Sequence, residues 1–515
     1  METEKTYDLI IIGTGAGGGT LLHALAPTGK KILVLERGGY LPQEKGNWES
    51  QTVFIDNKYK AHETWYDKNG KTFNPEIHYF VGGNTKLYGA ALLRFLSKDF
   101  EEIRHHDGIS PAWPITYHEL EPYYAQAERL YHVHGERGID PAEARASGPF
   151  PYPPLRHELR IQELYDDLRQ LGYSPFPLPM GVMLDEDHPE NSPCIRCGTC
   201  DGFPCLIHAK ADTEVACVRP ALDNPNVTLL TQTSVKRLET NPSGREITRV
   251  VAERNGETVE YSGSIVILSC GAINSAAVLL RSASDSHVNG LANSSDMVGR
   301  HYMCHNNSAF VAISQKPNPT VFQKTLALND FYLGSNDWGF PLGHIQTMGK
   351  ADAKKFGAAS PFPAPHIALD QLAKHSLDFW VTSEDLPRAE NRVVVGRDGV
   401  IGLHYTENNL EAHDRLNSKL KQLLRKVDRK HSLTSLTICL RKKIPLRGTT
   451  HQCGTIRFGH DPKSSVLDVN CKAHDLDNLY VVDGSFFPSS AAMNPALTIM
   501  ANALRVADHL KERLQ

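Results

Sequence analysis

The sequence predicts an α/β protein: a Rossmann-like dinucleotide-binding domain interrupted by an inserted antiparallel β-sheet domain of α+β character. Three observations carry this reading. A buried-strand run, a glycine turn, a helix and a second buried strand follow one another between residues 7 and 36. Apolar strand-like runs return in the middle of the chain and near its C-terminus. Between about 300 and 445 the pattern changes to alternating segments, the signature of a sheet with one face off the core.

In chain order, Tyr7-Asp-Leu-Ile-Ile-Ile12 is too short for a helix, is bounded by glycine, and reads as a buried parallel strand. Gly13-Thr-Gly-Ala-Gly-Gly-Gly19 follows. Leu21, Leu22, Ala24 and Leu25 then sit at helical spacing, and Lys31-Ile-Leu-Val-Leu-Glu36 is the second strand of a βαβ unit. Residues 81–95 are again glycine-rich. Thr116 and Glu119 form a capping-box pattern before a helix running to about Val133. Gly148-Pro-Phe-Pro-Tyr-Pro-Pro154 can only be a connection. An amphipathic helix is expected over 157–171, strands over Asn226–Leu238 and Ser264–Ser269, and a helix over Asn274–Arg281. In the altered region, Ala309-Phe-Val-Ala-Ile313, Leu377-Asp-Phe-Trp-Val381 and Arg392-Val-Val-Val395 read as sheet strands. The polar piece from about 349 to 362 reads as a mobile loop, and Asn408–Lys430 as a long amphipathic helix. Leu479-Tyr-Val-Val-Asp483 and a helix from Pro495 return the chain to the nucleotide half. The expected division is therefore 1–300 with 446–515, carrying insertions over 40–220, against 301–445.

Composition excludes several classes. In 515 residues, 55 Lys+Arg against 59 Asp+Glu leave a net charge of −4, with 40% hydrophobic and 22% charged residues. This is ordinary globular material of more than one core, neither disordered nor a disulfide scaffold. No basic excess supports binding nucleic acid by bulk charge. No apolar run approaches the ~20 residues that span a bilayer. The chain opens Met1-Glu2-Thr3-Glu4 without a basic-then-apolar leader, so a cytoplasmic protein is expected.

Gly13, Gly15 and Gly18 match G-x-G-x-x-G. The first permits the tight turn, the second lets backbone amides approach a pyrophosphate, and the third lets helix and strand pack closely. The phosphate would sit on the helix N-terminus. Glu36 ends the second strand, placed to accept from ribose hydroxyls and to repel a 2′-phosphate. Glycine turns are common alone; with both strands, the helix and the acid in register the pattern is specific.

Further motifs resemble the glucose-methanol-choline (GMC) flavin oxidoreductases: His451-Gln-Cys-Gly-Thr-Ile-Arg-Phe-Gly459, Leu479–Pro488, Asn494-Pro495-Ala-Leu-Thr498, Val81-Gly-Gly-Asn-Thr85, Trp113–Tyr124 and Ser269-Cys-Gly-Ala-Ile-Asn-Ser275. The spelling around His451 and Asn494 is most similar to bacterial sugar dehydrogenases and pyranose oxidase-like glycoside oxidoreductases. The resemblance covers nearly the whole chain except 300–445. It implies FAD, held by Gly13, Gly15, Gly18, Glu36, Gly83, Asn84, Val235, Cys270, Gly271, Asp483, Pro495 and Thr498. It implies His451 as the base beside the flavin and Asn494 as its polar partner across the substrate oxygen. Some relatives tether FAD through a histidine after the Gly-Gly pair; here Asn84-Thr-Lys-Leu-Tyr88 has none, so non-covalent FAD is expected.

The chemistry agrees. Alcohol oxidation removes a hydroxyl proton and a hydride. A neutral histidine can take the proton, an amide can fix the oxygen without titrating, and the flavin carries the redox step. By composition alone His451 is one of 24 histidines; the motif singles it out. The expected reaction is oxidation of a secondary ring hydroxyl of a sugar or glycoside to the ketone. The electron acceptor stays open between dioxygen, a quinone and an electron-transfer protein. A non-sugar alcohol, or a lyase or photodecarboxylase on the same fold, is the alternative. Trp380 and Gln346 are substrate candidates: Trp380 could stack on a sugar ring, against plain core packing, and Gln346 and His344, just before the expected mobile loop, could line the pocket. His301, Cys304, His305 and Asn306 form a polar knot better explained by interdomain hydrogen bonds than by a metal.

Ten cysteines are present, and Cys194, Cys197, Cys200 and Cys205 lie in one short segment. Its last gap departs from the ferredoxin run. Free thiols or local disulfides are the favoured reading, ahead of an iron–sulfur relay in a multi-subunit dehydrogenase and ahead of zinc. Such subunits can be exported with a partner, which leaves export open. No metal ligand is assigned. Lys210, Asp212 and Glu214 could contact FAD or substrate, with solvated charges the favoured reading.

Overall fold

The computed structural model describes residues 6–359, 365–431 and 437–515. The opening residues, read above for a leader, and positions 360–362 of the expected loop lie outside these.

Thr6–Ile12 pairs in parallel with Ile32–Leu35 on one side and with Glu257–Leu268 on the other. Val227–Leu230 extends the sheet beyond Ile32–Leu35, and Leu479–Val481 joins Glu257–Leu268, both in parallel. The first strand is continuously apolar from Leu9 to Ile12 because both of its faces are covered: Leu9, Ile10 and Ile11 are fully buried, as are Ile32–Leu35 beside them. The strand Glu257–Leu268 serves twice. Its first half pairs antiparallel with Ile247–Arg254, which pairs in turn with Thr233–Thr240. Its second half carries the nucleotide sheet. The expected single strand 226–238 is thus two strands, broken where Gln232 adopts a left-handed φ of 52°.

The helix Ala16–Leu25 lies against the C-terminal helix Ala496–Arg513, and its glycines set the approach to the strands. A Cβ on Gly17 would stand 2.0 Å from the Val482 carbonyl oxygen, and one on Gly18 would stand 2.1 Å from that of Gly13. The Thr116–Glu119 capping box forms as the sequence predicts and starts the helix Tyr117–Leu130.

The second sheet has six antiparallel strands in the order Ile438–Lys443, Asn306–Ile313, Ser376–Ser383, His344–Thr347, Leu326–Leu328, Phe176–Pro177. Alternation divides its two faces. Phe310, Ala312, Phe379, Val381 and Ile345 form one face. They pack on Leu416, Leu420 and Leu423 of the helix Leu410–His431 and on Ile161, Leu164 and Leu168 of the helix Leu159–Gln170. Ala309, Trp380 and Gln346 share the opposite face, with Trp380 directly across from both neighbours.

Three local expectations differ. The helix Leu159–Gln170 packs into this second core and Phe176–Pro177 pairs at the edge of its sheet, with Phe176 itself packed in the nucleotide-half core. Arg392–Val395 belongs to a separate four-stranded sheet with Ile401–His404, Trp65–Asp67 and Thr72–Phe73, and its Val393 packs in the nucleotide-half core. The expected mobile loop contains the helix Ala353–Ala359, followed by His366–His375. Phe356 there meets Leu369, which a composition rich in Ala, Gly and Lys does not advertise.

Candidate active site

The dinucleotide cradle is built at the carboxyl ends of the parallel strands. Gly13 turns with φ 97°, where a Cβ would stand 2.2 Å from the Ser269 carbonyl oxygen, so only glycine fits. A Cβ on Gly15 would meet nothing within 4 Å. That open side of the turn is where a pyrophosphate needs room against the helix amides. Gly83 lies over it: a Cβ there would be 3.1 Å from Gly15 Cα, and the Gly82 amide donates to Thr14 Oγ1 at 3.0 Å. The second glycine-rich segment therefore folds onto the first.

Glu36 is buried. It accepts from the Thr14 amide (3.0 Å), the Thr14 hydroxyl (2.5 Å) and the Gly38 amide (3.0 Å). Burial raises its pKa and these hydrogen bonds oppose the rise. Asp483 works as a clamp. One oxygen takes the Gly271 amide (3.0 Å) and the Ser275 hydroxyl (2.5 Å); the other takes the Ser485 amide (2.9 Å) and caps the turn Gly484–Phe486. The fit to FAD is good: an open glycine turn, an acid at the strand end, and two glycine-rich segments in contact. Among the sequence-predicted positions, Asn84 spends its side-chain oxygen on the His78 amide (3.0 Å) and Thr498 spends its hydroxyl on Tyr124 (2.7 Å). These side chains shape the cradle from behind. Cys270 is neutral, its thiol pushed up to about 12 by burial, and its amide donates to Ser275 Oγ at 3.0 Å. Val235 is buried opposite Ala252, and Pro495 caps the C-terminal helix.

His451 lies half-buried at the head of a segment held on both sides. Cys453 and Met303 exchange backbone hydrogen bonds, and the Gly454 amide donates to the Gly484 carbonyl. Its Nδ1 stands 3.0 Å from Nδ1 of His305, with the rings edge to face, and His305 Nε2 stands 3.0 Å from the Ser490 carbonyl oxygen. Burial holds the His451 pKa well below the ordinary value, with help from His305 and Lys324 and against the pull of Asp201. Asn494 follows Ser490 by four residues. It is half-buried and its side-chain amide has no hydrogen-bond partner among the described residues.

The polar face of the six-stranded sheet supplies the other wall. Gln346 and Trp380 are directly paired; Gln346 is buried and Trp380 half-buried. His344 contacts Gln346 Oε1 (3.1 Å) and Asn329 Oδ1 (2.7 Å), with its pKa lowered to about 4, chiefly by burial. Lys324 donates to Asp201 Oδ1 at 2.9 Å, and Asp201 Oδ2 accepts the Gly349 amide at 3.0 Å. A Cβ on Gly89 would stand 1.9 Å from Lys324 Nζ, so this ion pair presses on the backbone of the glycine-rich segment.

Sequence reasoning missed Lys324 and Asp201, which carry no motif, offered His344 beside Gln346 as a pocket residue without fixing its geometry, and left His305 within the polar knot. Asp201 lay hidden inside the cysteine segment. The rest of the knot is structural: Asn306 donates to the Asn408 carbonyl at 2.9 Å, and burial depresses His301 to about 4. Lys210 and the acids after the cysteines are buried, not solvated. Lys210 donates to the Tyr88 and Phe203 carbonyls, and Lys86 pairs with Asp212 (2.9 Å) and Glu214 (2.6 Å). Taken singly, each charge belongs in water; the partner that makes its burial tolerable is distant in sequence.

All ten cysteines are free. Cys194, Cys197, Cys200 and Cys205 line one small apolar cavity with Val182 and Phe322. Burial pushes Cys194 up to about 11 and Cys200 up to about 12. Among the described residues no group of three or more His, Cys, Asp or Glu side chains is arranged to hold a metal ion.

Family models described as GMC oxidoreductase match residues 7–307 and 399–503. The chain is 30% identical to 6'''-hydroxyparomomycin C oxidase of Streptomyces lividus, over 98% of this chain and 92% of the relative. It is 28% identical to paromamine 6'-oxidase of Streptomyces fradiae, over 98% and 91%. It is 23% identical to the fructose dehydrogenase large subunit of Gluconobacter japonicus, over 99% and 98%. Among solved structures, a pyridoxine 4-oxidase superposes with a TM-score of 0.68 at 17% identity, over 98% of this chain and 99% of the other. The Aspergillus oryzae formate oxidase superposes with 0.67 at 15%, over 99% of each.

Proposed function

This chain belongs to the GMC oxidoreductase family and is an FAD enzyme that oxidises CH–OH groups, and on that premise we propose that it oxidises a secondary ring hydroxyl of a sugar or glycoside, with FAD held non-covalently. The observation that carries the reading is His451: a half-buried imidazole kept neutral by burial, with one ring nitrogen engaged by His305. A base must be unprotonated at working pH and must present a free lone pair, and this imidazole satisfies both demands. Bound flavin supplies the acceptor for the hydride.

His451 takes the hydroxyl proton. Asn494, whose amide has no other partner among the described residues, donates to the alcohol oxygen as charge develops there. Trp380 offers a ring face to the sugar, and Gln346 an amide beside it. The paired Lys324 and Asp201 give the wall a donor and an acceptor without net charge, which suits a polyhydroxylated substrate. The names of the relatives, a hydroxyparomomycin oxidase, a paromamine oxidase and a fructose dehydrogenase, support a sugar or glycoside. We assign 1–300 with 446–515 to FAD and 301–445 to substrate; the helix Leu159–Gln170 packs with the substrate core, while 392–404 and Phe322, Ala327 and Tyr332 pack with the flavin core. Ten free thiols support a cytoplasmic setting. No helix among the described residues is long and apolar enough to cross a membrane.

The test is anaerobic flavin bleaching against a panel of sugars and glycosides, including forms lacking single ring hydroxyls. Bleaching is expected with members bearing a particular secondary hydroxyl and lost when it is removed. No bleaching by any polyol refutes the reading. Acid precipitation should release all the yellow colour to the supernatant; colour in the pellet refutes non-covalent binding.

A further inference from the structure

The contact between His451 and His305 acquires a direction once the partner of each His305 nitrogen and the neutrality of its ring are taken together. A carbonyl oxygen only accepts, so at 3.0 Å from the Ser490 carbonyl His305 Nε2 must carry a proton and donate it. Burial holds the His305 pKa below its ordinary value, so the ring is neutral and its other nitrogen, Nδ1, is bare. At 3.0 Å from that bare nitrogen, His451 Nδ1 must be the donor. Neutral His451 carries one proton, and it is then on Nδ1. Its Nε2 is left as the lone pair.

We propose that His305 is a positioning residue for the oxidation: fixed by the Ser490 carbonyl, it locks His451 in the tautomer whose Nε2 can accept the substrate proton. This rests on the reading of His451 as the base. When Nε2 takes the proton, the O–H bond breaks and an N–H bond forms, and the resulting imidazolium still donates through Nδ1 to His305, a hydrogen bond strengthened by the new charge. Without that acceptor nothing holds the proton on Nδ1, and a proton on Nε2 abolishes the base. His305 is well placed for the task. It is 3% exposed, immediately precedes the strand Asn306–Ile313, and holds a left-handed φ of 60° that a histidine adopts at a cost. With this backbone its ring meets the Ser490 carbonyl and His451 at once. The same carbonyl lies on the segment leading to Asn494, so one bridge sets the base relative to its polar partner.

The experiment uses the FAD-loaded enzyme. His305→Asn keeps an acceptor at the Nδ1 position, though it is too short to reach the Ser490 carbonyl; His305→Phe keeps the ring volume and neither function. Anaerobic flavin reduction by the best panel sugar should fall by about 10²–10⁴ in His305→Phe with the substrate Kd little changed. It should return to within about tenfold of the parent in His305→Asn. A His305→Phe enzyme as fast as the parent overturns the proposal, as does equal damage in both variants. His451→Ala separates the two readings. If it still reduces flavin, the base reading fails; if it is dead while His305→Phe is active, only the positioning role fails. A readout free of turnover and of variants is a neutron structure of the parent in deuterated buffer. Deuterium on His451 Nδ1 and His305 Nε2 is expected, and deuterium on His451 Nε2 overturns the proposal.

Discussion

Replacing Lys324 by methionine removes the ammonium from the wall of the active site and keeps the length of the side chain. Lys324 is nearly closed to solvent, Asp201 keeps 19% of its side chain open, and they meet at 2.9 Å. At an effective dielectric of about 20 the gross attraction at that distance is about 6 kcal/mol, and breaking a buried pair from one side costs about 3–5 kcal/mol because the other charge stays behind. Here it stays with one remaining partner in hydrogen-bond range, the Gly349 amide. The pH dependence gives the signature. In the parent, Asp201 sits below the ordinary carboxylate value: burial would raise it, but Lys324 and the Gly349 amide outweigh that. Its contribution is therefore present above the unfolded pKa and lost as pH falls through the folded one. In Lys324→Met the burial effect is unopposed by the ammonium, so the carboxyl moves up and becomes destabilising as pH rises. The deficit against the parent should be largest near pH 8 and shrink toward pH 5. Melting followed by flavin fluorescence should show a drop of roughly 3–5 °C at pH 8. Adding Asp201→Asn should recover part of it, because the stranded charge is gone. A variant melting within a degree of the parent at both pH values, with no interaction between the two substitutions, would refute the claim that this pair is held in a low-dielectric wall.

Three further outcomes are expected. Gly13→Ala places a Cβ 2.2 Å from the Ser269 carbonyl oxygen at a φ that alanine avoids, and the purified protein should be colourless and unable to take up FAD by fluorescence titration. Trp380→Ala should raise KM for the sugar by roughly 2- to 10-fold, the equivalent of about 0.5–1.5 kcal/mol of ring contact, while the limiting rate holds; an unchanged KM would leave Trp380 as packing. Leu416→Ala empties a fully buried position between the Leu410–His431 helix and the substrate sheet; urea unfolding should report about 2–5 kcal/mol lost, with flavin content retained.

The nucleotide half is legible in the sequence because its signals are local. Leu9–Ile12, the Gly13–Gly18 turn and Glu36 are contiguous, and their spacing dictates both strand burial and the phosphate turn. The long helix 410–431 is legible for the same reason, through one apolar stripe. What escapes depends on contacts between distant residues. Arg392–Val395 reads as a strand anywhere, but its partners include Trp65–Asp67 by way of Ile401–His404, and no pattern within the segment announces that. Residues 159–177 read as a helix and a short extended piece; that they close the edge of the substrate sheet follows from pairing with Leu326–Leu328. Gln346 and Trp380 lie on one face, yet His344, Lys324 and Asp201 gain meaning only from where the fold puts them.

The cysteine segment illustrates how that matters for function. Four thiols draw attention to it, and burial keeps Cys194 and Cys200 protonated and inert. The residue of this segment that reaches the active site is Asp201. Through Lys324 it joins the connecting segment to the substrate sheet, and through the Gly349 amide it fixes the chain leading into the helix Ala353–Ala359. Since the pair also presses on Gly89, these three parts of the wall cannot shift independently of the glycine-rich segment that faces the flavin cradle. A substitution in the cysteine loop that moves Asp201 should therefore alter sugar binding without touching His451, read as a changed Kd in anaerobic titration. One that changes only a thiol should not, because the thiols line an apolar cavity behind the wall.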